Sequence, residues 1–176
     1  MANWENLDTV QIGNYCEELI RGYIITKYPN IDIYTSVSGK KHLVDFIIMD
    51  INNPSKQSFV ECKGKPRRIK YADQGFDIGQ YIAYQHLSDT TGKKIIFYFC
   101  DIITESIYTS NFLEMMKPVR IGNKQYPSIE VNRHGKEEIY FPLHSMRKVR
   151  DLTKSEIEHI LSLKKIKDDE GFSDLF

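Results

Sequence analysis

The sequence predicts an α/β protein: a mixed central sheet flanked by helices, with a C-terminal α+β extension. Three observations carry this. Residues 7–28 hold one broad apolar face at helical spacing, and Pro29-Asn30 ends it. Three strand-like segments follow, over residues 31–37, 43–51 and 57–63. A second helical pattern over 72–88 then leads into the apolar run 93–100, Lys-Lys-Ile-Ile-Phe-Tyr-Phe-Cys, of the kind found at a sheet centre. The order is helix, three strands, helix, strand.

In the first helix, Ile12, Tyr15, Cys16, Leu19, Ile20, Tyr23 and Ile24 form the apolar face. Glu17 falls at its edge, beside Ile20 and Ile24, while Glu18 falls nearly opposite, toward solvent. Gly13, one turn before Glu17, leaves room for another backbone. Glu17 is thus either a boundary residue or a carboxylate looking along the core edge into a site.

The segment 43–51 is apolar on both faces except for Asp45, with Leu43, Ile47 and Met49 as its companions. An ionised Asp in such a place is costly unless it is paired, bound to metal or capping backbone amides. The turn at 52–55 makes an antiparallel pair with the third strand, which brings Asp45 and Glu61 to one end. In that strand, alternation sends Phe59, Glu61 and Lys63 to one face and Val60 and Cys62 to the other. A carboxylate and an ammonium two residues apart at a strand end suit a hydrolytic metal site, the acid holding a hard cation and the lysine orienting water. A surface ion pair on an edge strand has the same pattern.

Lys63, Lys65, Arg67, Arg68 and Lys70 then give five cations in eight residues, suited to phosphate contacts or to a solvated loop. In the second helix Phe76, Gln80, Ala83, Tyr84 and Leu87 share a face, so Gln80 either satisfies a buried partner or faces a site. Beyond Asp101 the pattern predicts a strand or turn at 102–108, a helix at 111–117, and a hairpin of 128–132 with 137–142 around Arg133-His134-Gly135. Thr153-Lys154-Ser155-Glu156 reads as a capping box opening a last helix to about residue 167. His134 and His144 read as loop residues.

The chain has 176 residues, 24 Lys plus Arg and 24 Asp plus Glu, so its formal charge is zero. Attraction to nucleic acid must then come from a local patch rather than from the whole molecule. Cys16, Cys62 and Cys100 are odd in number and lie in apolar stretches, which predicts buried thiols in a reducing compartment and no zinc site. The N-terminus lacks an apolar signal core, and no run approaches a membrane span, so a soluble, cytoplasmic protein without membrane partners is expected. One domain is expected over residues 1–167, with a core at about 7–100 and an extension at 101–167. An acidic, flexible tail at 168–176 follows.

The polar intrusions come in one order: Glu17, Asp45, Glu61-Cys62-Lys63, then Gln80-x-x-x-Tyr84. This set resembles the PD-(D/E)xK nuclease superfamily, the restriction-endonuclease-like fold, over about residues 7–100. The family's usual proline before the aspartate is replaced by Val44. The resemblance implies a Mg²⁺-dependent DNA endonuclease of repair, recombination, phage biology or restriction, with Mn²⁺ able to substitute. It implies Asp45, Glu61, Glu17 and the Cys62 carbonyl as metal ligands, Lys63 as the water-positioning group, and Gln80 and Tyr84 as further site residues. Ser38, Lys40, Lys41, Lys65, Arg67, Arg68 and Lys70 would flank the cleft as DNA contacts. Gly13-x-x-x-Glu17 and Ser38-Gly39 are also similar to archaeal-type Holliday-junction resolvases, although Gln80-x-x-x-Tyr84 and the longer C-terminal part fit that branch less well. Cutting both strands calls for two sites, hence a homodimer. The ending Ser173-Asp174-Leu175-Phe176 looks like the short peptides that bind the bacterial sliding clamp; alternatively Phe176 docks on its own domain. Two other readings stay open: a catalytically silent nuclease-like DNA-binding or assembly module, and a hydrolase of RNA or other phosphodiesters.

Overall fold

The structure is a computed structural model and describes residues 8–35, 43–64, 71–132 and 135–165. The DNA-contact residues expected at Ser38, Lys40, Lys41, Lys65, Arg67, Arg68 and Lys70, together with Leu175 and Phe176, lie outside the described residues, as does His134.

Helix α1 (Asp8–Lys27) leads into β1 (Ile31–Tyr34), β2 (Phe46–Asp50) and β3 (Asn53–Gly64). Strand β4 (Asp73–Asp77), helix α2 (Ile78–Thr91) and β5 (Lys94–Asp101) follow, then β6 (Ser106–Asn111) and the one-turn helix α3 (Phe112–Met115). Strands β7 (Val119–Ile121), β8 (Lys124–Tyr126), β9 (Ser128–Val131) and β10 (Glu137–Pro142) precede β11 (Arg147–Asp151) and helix α4 (Lys154–Lys165).

Six strands form the main sheet in the order β1-β2-β3-β5-β6-β11. Its pairs are antiparallel except β3 with β5, which run parallel, Glu61 opposite Phe97. The fold is therefore the expected mixed α/β sheet flanked by helices. Along β3 and β5 alternate side chains enter two separate cores. Phe59, Ile95, Phe97 and Phe99 pack with Tyr84 of α2, Phe112 of α3, and Phe76 and Phe141 of a second, three-stranded sheet, β4-β10-β9. Val60, Tyr98 and Cys100 pack on the other face with Cys16, Ile20 and Ile24 of α1 and Ile160 of α4. Burying side chains of this size contributes about 1.5–3 kcal/mol each before entropy is charged against it. Both faces of the central strands are covered, which explains why β5 reads as a continuous apolar run.

Several boundaries differ from the sequence expectation. Residues 72–77 are not helical: β4 pairs with β10, Phe76 opposite Ile139. A Cβ on Gly75 would sit 2.5 Å from the Ile139 carbonyl oxygen, so the two backbones approach more closely there than any larger residue allows. This pairing adds a strand between the third strand and the second helix of the expected order, but β4 belongs to the second sheet and the main sheet keeps its order. Strand β2 begins at Phe46, and Asp45 lies in the bend before it, its N–H still donating to the Val60 carbonyl at 3.1 Å. The turn after β2 is shorter than expected, since Asn53 already opens β3. Residues 102–105 turn, with Glu105 at φ 51°, and the strand comes after them at 106–111. The hairpin of β9 and β10 is as expected. So is the capping box: Thr153 N–H donates to Glu156 Oε2 at 2.8 Å, and Glu156 N–H donates to Thr153 Oγ1 at 3.3 Å. The three cysteines are free, Cys16 and Cys100 buried and Cys62 half-buried. Among the described residues no helix is long and apolar enough to cross a membrane.

Candidate active site at the end of β3

Strand β3 ends against α1. A Cβ on Gly64 would lie 2.6 Å from the Cys16 Cβ and 3.3 Å from the Gly13 Cα, so glycine is required at 64 for the strand to reach the helix. The expectation for Gly13 is corrected in this respect: a Cβ there would meet nothing, and the tight glycine is Gly64. Glu17 sits half-buried on the same helix, α1, and couples electrostatically to Asp45.

Alternation places Glu61 and Lys63 on the α2 side of the sheet. Glu61 is buried, 5% exposed, and its Oε1 accepts from Lys63 Nζ at 2.5 Å. Its Oε2 is buried with no hydrogen-bond partner among the described residues. Lys63 Nζ also donates to Gln80 Oε1 and to the Tyr84 hydroxyl, each at 3.3 Å. The ammonium lies 5.9 Å from the Phe76 ring centroid and 5.8 Å from that of Tyr84, and the electron-rich faces favour the charged form there. Asp45 reaches the same place from the bend before β2. Its Oδ2 accepts the Cys62 N–H at 2.6 Å, so the amide between Glu61 and Lys63 anchors it. This is the amide-capping role that the sequence leaves open beside metal binding.

The electrostatics follow from crowding acids at a water-poor strand end. Burial, opposed by Lys63 and reinforced by Asp45, raises the Glu61 carboxyl from its ordinary 4.5 to about 7. Burial also raises Asp45, against the pull of the Cys62 amide and Lys63. Glu17 is raised by burial and then by Asp45, with Arg21 acting the other way from 3.8 Å. Asp45 thus links the other two acids. Burial, and then the Glu61 carboxylate, pushes the Tyr84 hydroxyl up, which keeps it a neutral donor. Burial followed by the surrounding acids likewise raises the Cys62 thiol, which disfavours its thiolate form.

The structure brings Asp45, Glu61, Lys63, Gln80 and Tyr84 together and sets Glu17 at the rim. Gln80 is exposed rather than inward, and its Oε1 accepts from Lys63. Among the described residues no three His, Cys, Asp or Glu side chains close on a single metal position. A hard divalent cation nevertheless suits the donor set: carboxylate oxygens, one of them buried and unsatisfied, with three acids whose charge burial opposes. Two further residues contribute. Arg21, one helical turn beyond Glu17, is legible from its spacing. Phe76 shares a face with Gln80 and Tyr84 as the sequence expects, but it comes under Lys63 from strand β4 rather than from a helix.

No protein-family model matches the chain. No curated protein matches it in sequence. Among solved structures it is similar to D212, a nuclease from a fusselovirus, with a TM-score of 0.46 and 10% identity. The alignment covers 91% of this chain and 96% of that one. A likeness of that degree carries no argument about activity.

Proposed function

We propose that this protein is a Mg²⁺-dependent endonuclease of the restriction-endonuclease-like class that hydrolyses DNA phosphodiester bonds, in repair, recombination, phage biology or restriction. The observation that carries the reading is the β3 end: Glu61 paired with Lys63 at 2.5 Å, Asp45 tied to the amide between them, and one buried Glu61 oxygen unsatisfied. Asp45, Glu61 and the Cys62 carbonyl, with Glu17 from α1, would hold the cation, which when bound supplies charge neutralisation at the scissile phosphate and activation of water. Lys63 carries the rest. Its ammonium is held in one orientation by Glu61, Gln80 and Tyr84, so it can donate to the attacking water or to a phosphate oxygen without reorganising. Phe76 and Tyr84 shield it from bulk water, which strengthens that interaction. The reading extends to a cytoplasmic homodimer and to a C-terminal tail offered to a sliding clamp.

A silent DNA-binding module is the second reading, favoured by one observation: among the described residues no three acidic or thiol ligands close on one cation position. One experiment separates the two. Labelled linear, nicked, forked and four-way DNA, and one RNA duplex, are incubated with Mg²⁺, Mn²⁺ or EDTA and wild type, Asp45→Ala or Lys63→Ala. Metal-dependent cutting of DNA that both variants lose supports the nuclease. DNA binding with no cutting by wild type supports the module, and cutting of RNA alone moves the substrate class.

A further inference from the structure

The six-stranded sheet has two edges, and they are built differently. At one edge β11 exposes Arg147 and Lys148 and shifts register between Lys148 and Arg150. Exposed cations and a bulge are common guards against pairing with another chain. Strand β1, at the other edge, has neither. It runs Ile31, Asp32, Ile33, Tyr34 in unbroken register with β2, and among the described residues no strand covers its outer side. We propose that this edge is a dimer interface, with β1 pairing antiparallel to β1 of a second copy about a two-fold axis at Ile33. The inference gives the homodimer of the proposed function its surface, but it rests on strand geometry and not on DNA cleavage.

Backbone direction carries the first part. The Ile51 N–H donates to the Asn30 carbonyl at 2.9 Å, which makes these two a bonded pair. Bonded and non-bonded pairs alternate along an antiparallel ladder. Asp32 and Tyr34 therefore bond to β2, opposite Met49 and Ile47, while Ile31 and Ile33 aim their peptide groups outward. The Ile31 N–H, turned away from β2, donates instead to the Tyr28 carbonyl at 3.1 Å. The Ile31 carbonyl, both peptide groups of Ile33 and the Thr35 N–H then line the edge. Centred on Ile33, a second β1 takes up all of them. The two Ile33 residues exchange a pair of bonds, and each Thr35 N–H reaches the Ile31 carbonyl of the other copy.

Side chains select this register. It sets Asp32 opposite Tyr34 of the second copy, in the non-bonded position where side chains lie closest. Tyr34 is 48% exposed, and its hydroxyl already donates to Asp32 of its own strand at 3.3 Å. The phenol thus lies on the face where the second carboxylate would arrive. A register centred on Asp32 would instead bring two carboxylates face to face, which is unfavourable. Few residues take part on each side, so the interface is small and a dissociation constant in the micromolar range is expected. The two-fold axis also reverses the strands of the second copy. Its β3 end points the opposite way, so on the nuclease reading each site meets its own stretch of DNA.

The test is sedimentation equilibrium of the full chain in EDTA, without DNA, from about 1 to about 200 µM. The expected result is reversible dimerisation within that range. Tyr34→Glu, which creates a like-charged pair on each side of the axis, should weaken it at least about tenfold. Thr35→Pro, which removes an edge N–H, should weaken it as well. Asp32→Lys combined with Tyr34→Glu should restore the dimer, because the opposed charges then attract; a strand merely damaged by substitution would not recover. A wild type still monomeric at the highest concentration overturns the proposal. So does a dimer that Tyr34→Glu and Thr35→Pro leave intact, or one that the combined swap fails to restore. A monomer that cuts DNA in Mg²⁺ would sink the interface and leave the nuclease standing. A dimer with this edge that cuts nothing would do the reverse.

Discussion

Replacing Glu61 by glutamine should stabilise the metal-free protein above neutral pH. Glu61 is 5% exposed, and its folded value of about 7 stands above the ordinary 4.5. The folded state therefore binds more protons than the unfolded chain between those two values, and stability falls as pH rises through that window. At about 1.4 kcal/mol per pH unit of displacement, ionised Glu61 costs on the order of 3 kcal/mol at pH 8. Glutamine is isosteric, carries no charge and keeps an acceptor for Lys63, so part of the ion-pair attraction is lost while the whole desolvation cost disappears. The net gain expected at pH 8 is about 1–3 kcal/mol, a rise of several degrees in Tm for a chain of this size, shrinking toward zero at pH 4.5. Thermal melts in EDTA at several pH values between 4.5 and 8.5 measure it. Adding Mg²⁺ should raise the wild-type Tm and narrow the gap, because a cation bound by the ionised acid stabilises only the folded state. A Glu61→Gln protein that is less stable than wild type at pH 8, or whose difference from wild type does not change with pH, would refute the account of this carboxyl as strained by burial.

Further outcomes follow from the same geometry. Lys63→Met should lower kcat by about 100-fold or more with a smaller effect on DNA affinity in EDTA, since it removes a donor poised for the reacting phosphate; single-turnover cleavage and anisotropy separate the two. Gly64→Ala should destabilise by about 1–3 kcal/mol, because its Cβ would fall 2.6 Å from that of Cys16, and Cys16→Gly should restore most of the loss in urea melts. Thr153→Ala should cost about 1 kcal/mol by breaking the cap of α4. The Glu156 carboxyl is held below its ordinary value first by Arg150, which donates to it at 2.8 and 2.9 Å. Its contribution is present above the ordinary carboxylate value and is lost as pH falls through the folded one; Arg150→Met should remove that part of the acid-side slope in melts between pH 3 and 6.

Strands β1, β2, β3 and β5 of the main sheet are legible because each is covered on both faces or alternates cleanly, as Phe59 to Lys63 does. Asp45 was legible as the lone acid in an apolar segment, and Glu61 with Lys63 by spacing alone. The start of α2 was not, since Phe76, Gln80 and Tyr84 keep helical spacing across the boundary. The partner that makes 73–77 a strand, β10, lies far along the chain. Tertiary pairing overrode a local pattern there. Strands β7 and β8 have three residues each, too few to show a period, and β11 is polar but for Val149. The ion pairs of Lys124 with Asp73 of β4 and Glu130 of β9 are hidden for a related reason: the two acids come from other strands, and an isolated lysine between Asn and Gln reads as surface.

The bond from the Cys62 amide to Asp45 also bears on how the sheet zips together. Strand β3 is held by β5, so a slip of β2 by a single residue would turn the side chains of β2 over, taking Phe46 and Ile48 away from α1 and Asp45 away from the Cys62 amide. Such a slipped sheet would lose the Phe46 contact with the core of Cys16 and Ile20 and leave the Asp45 carboxylate without its capping N–H. The mispaired chain is thus penalised at a residue of the candidate site itself. An acid proposed to serve in cutting DNA would act, before any DNA arrives, as a check on its own strand alignment.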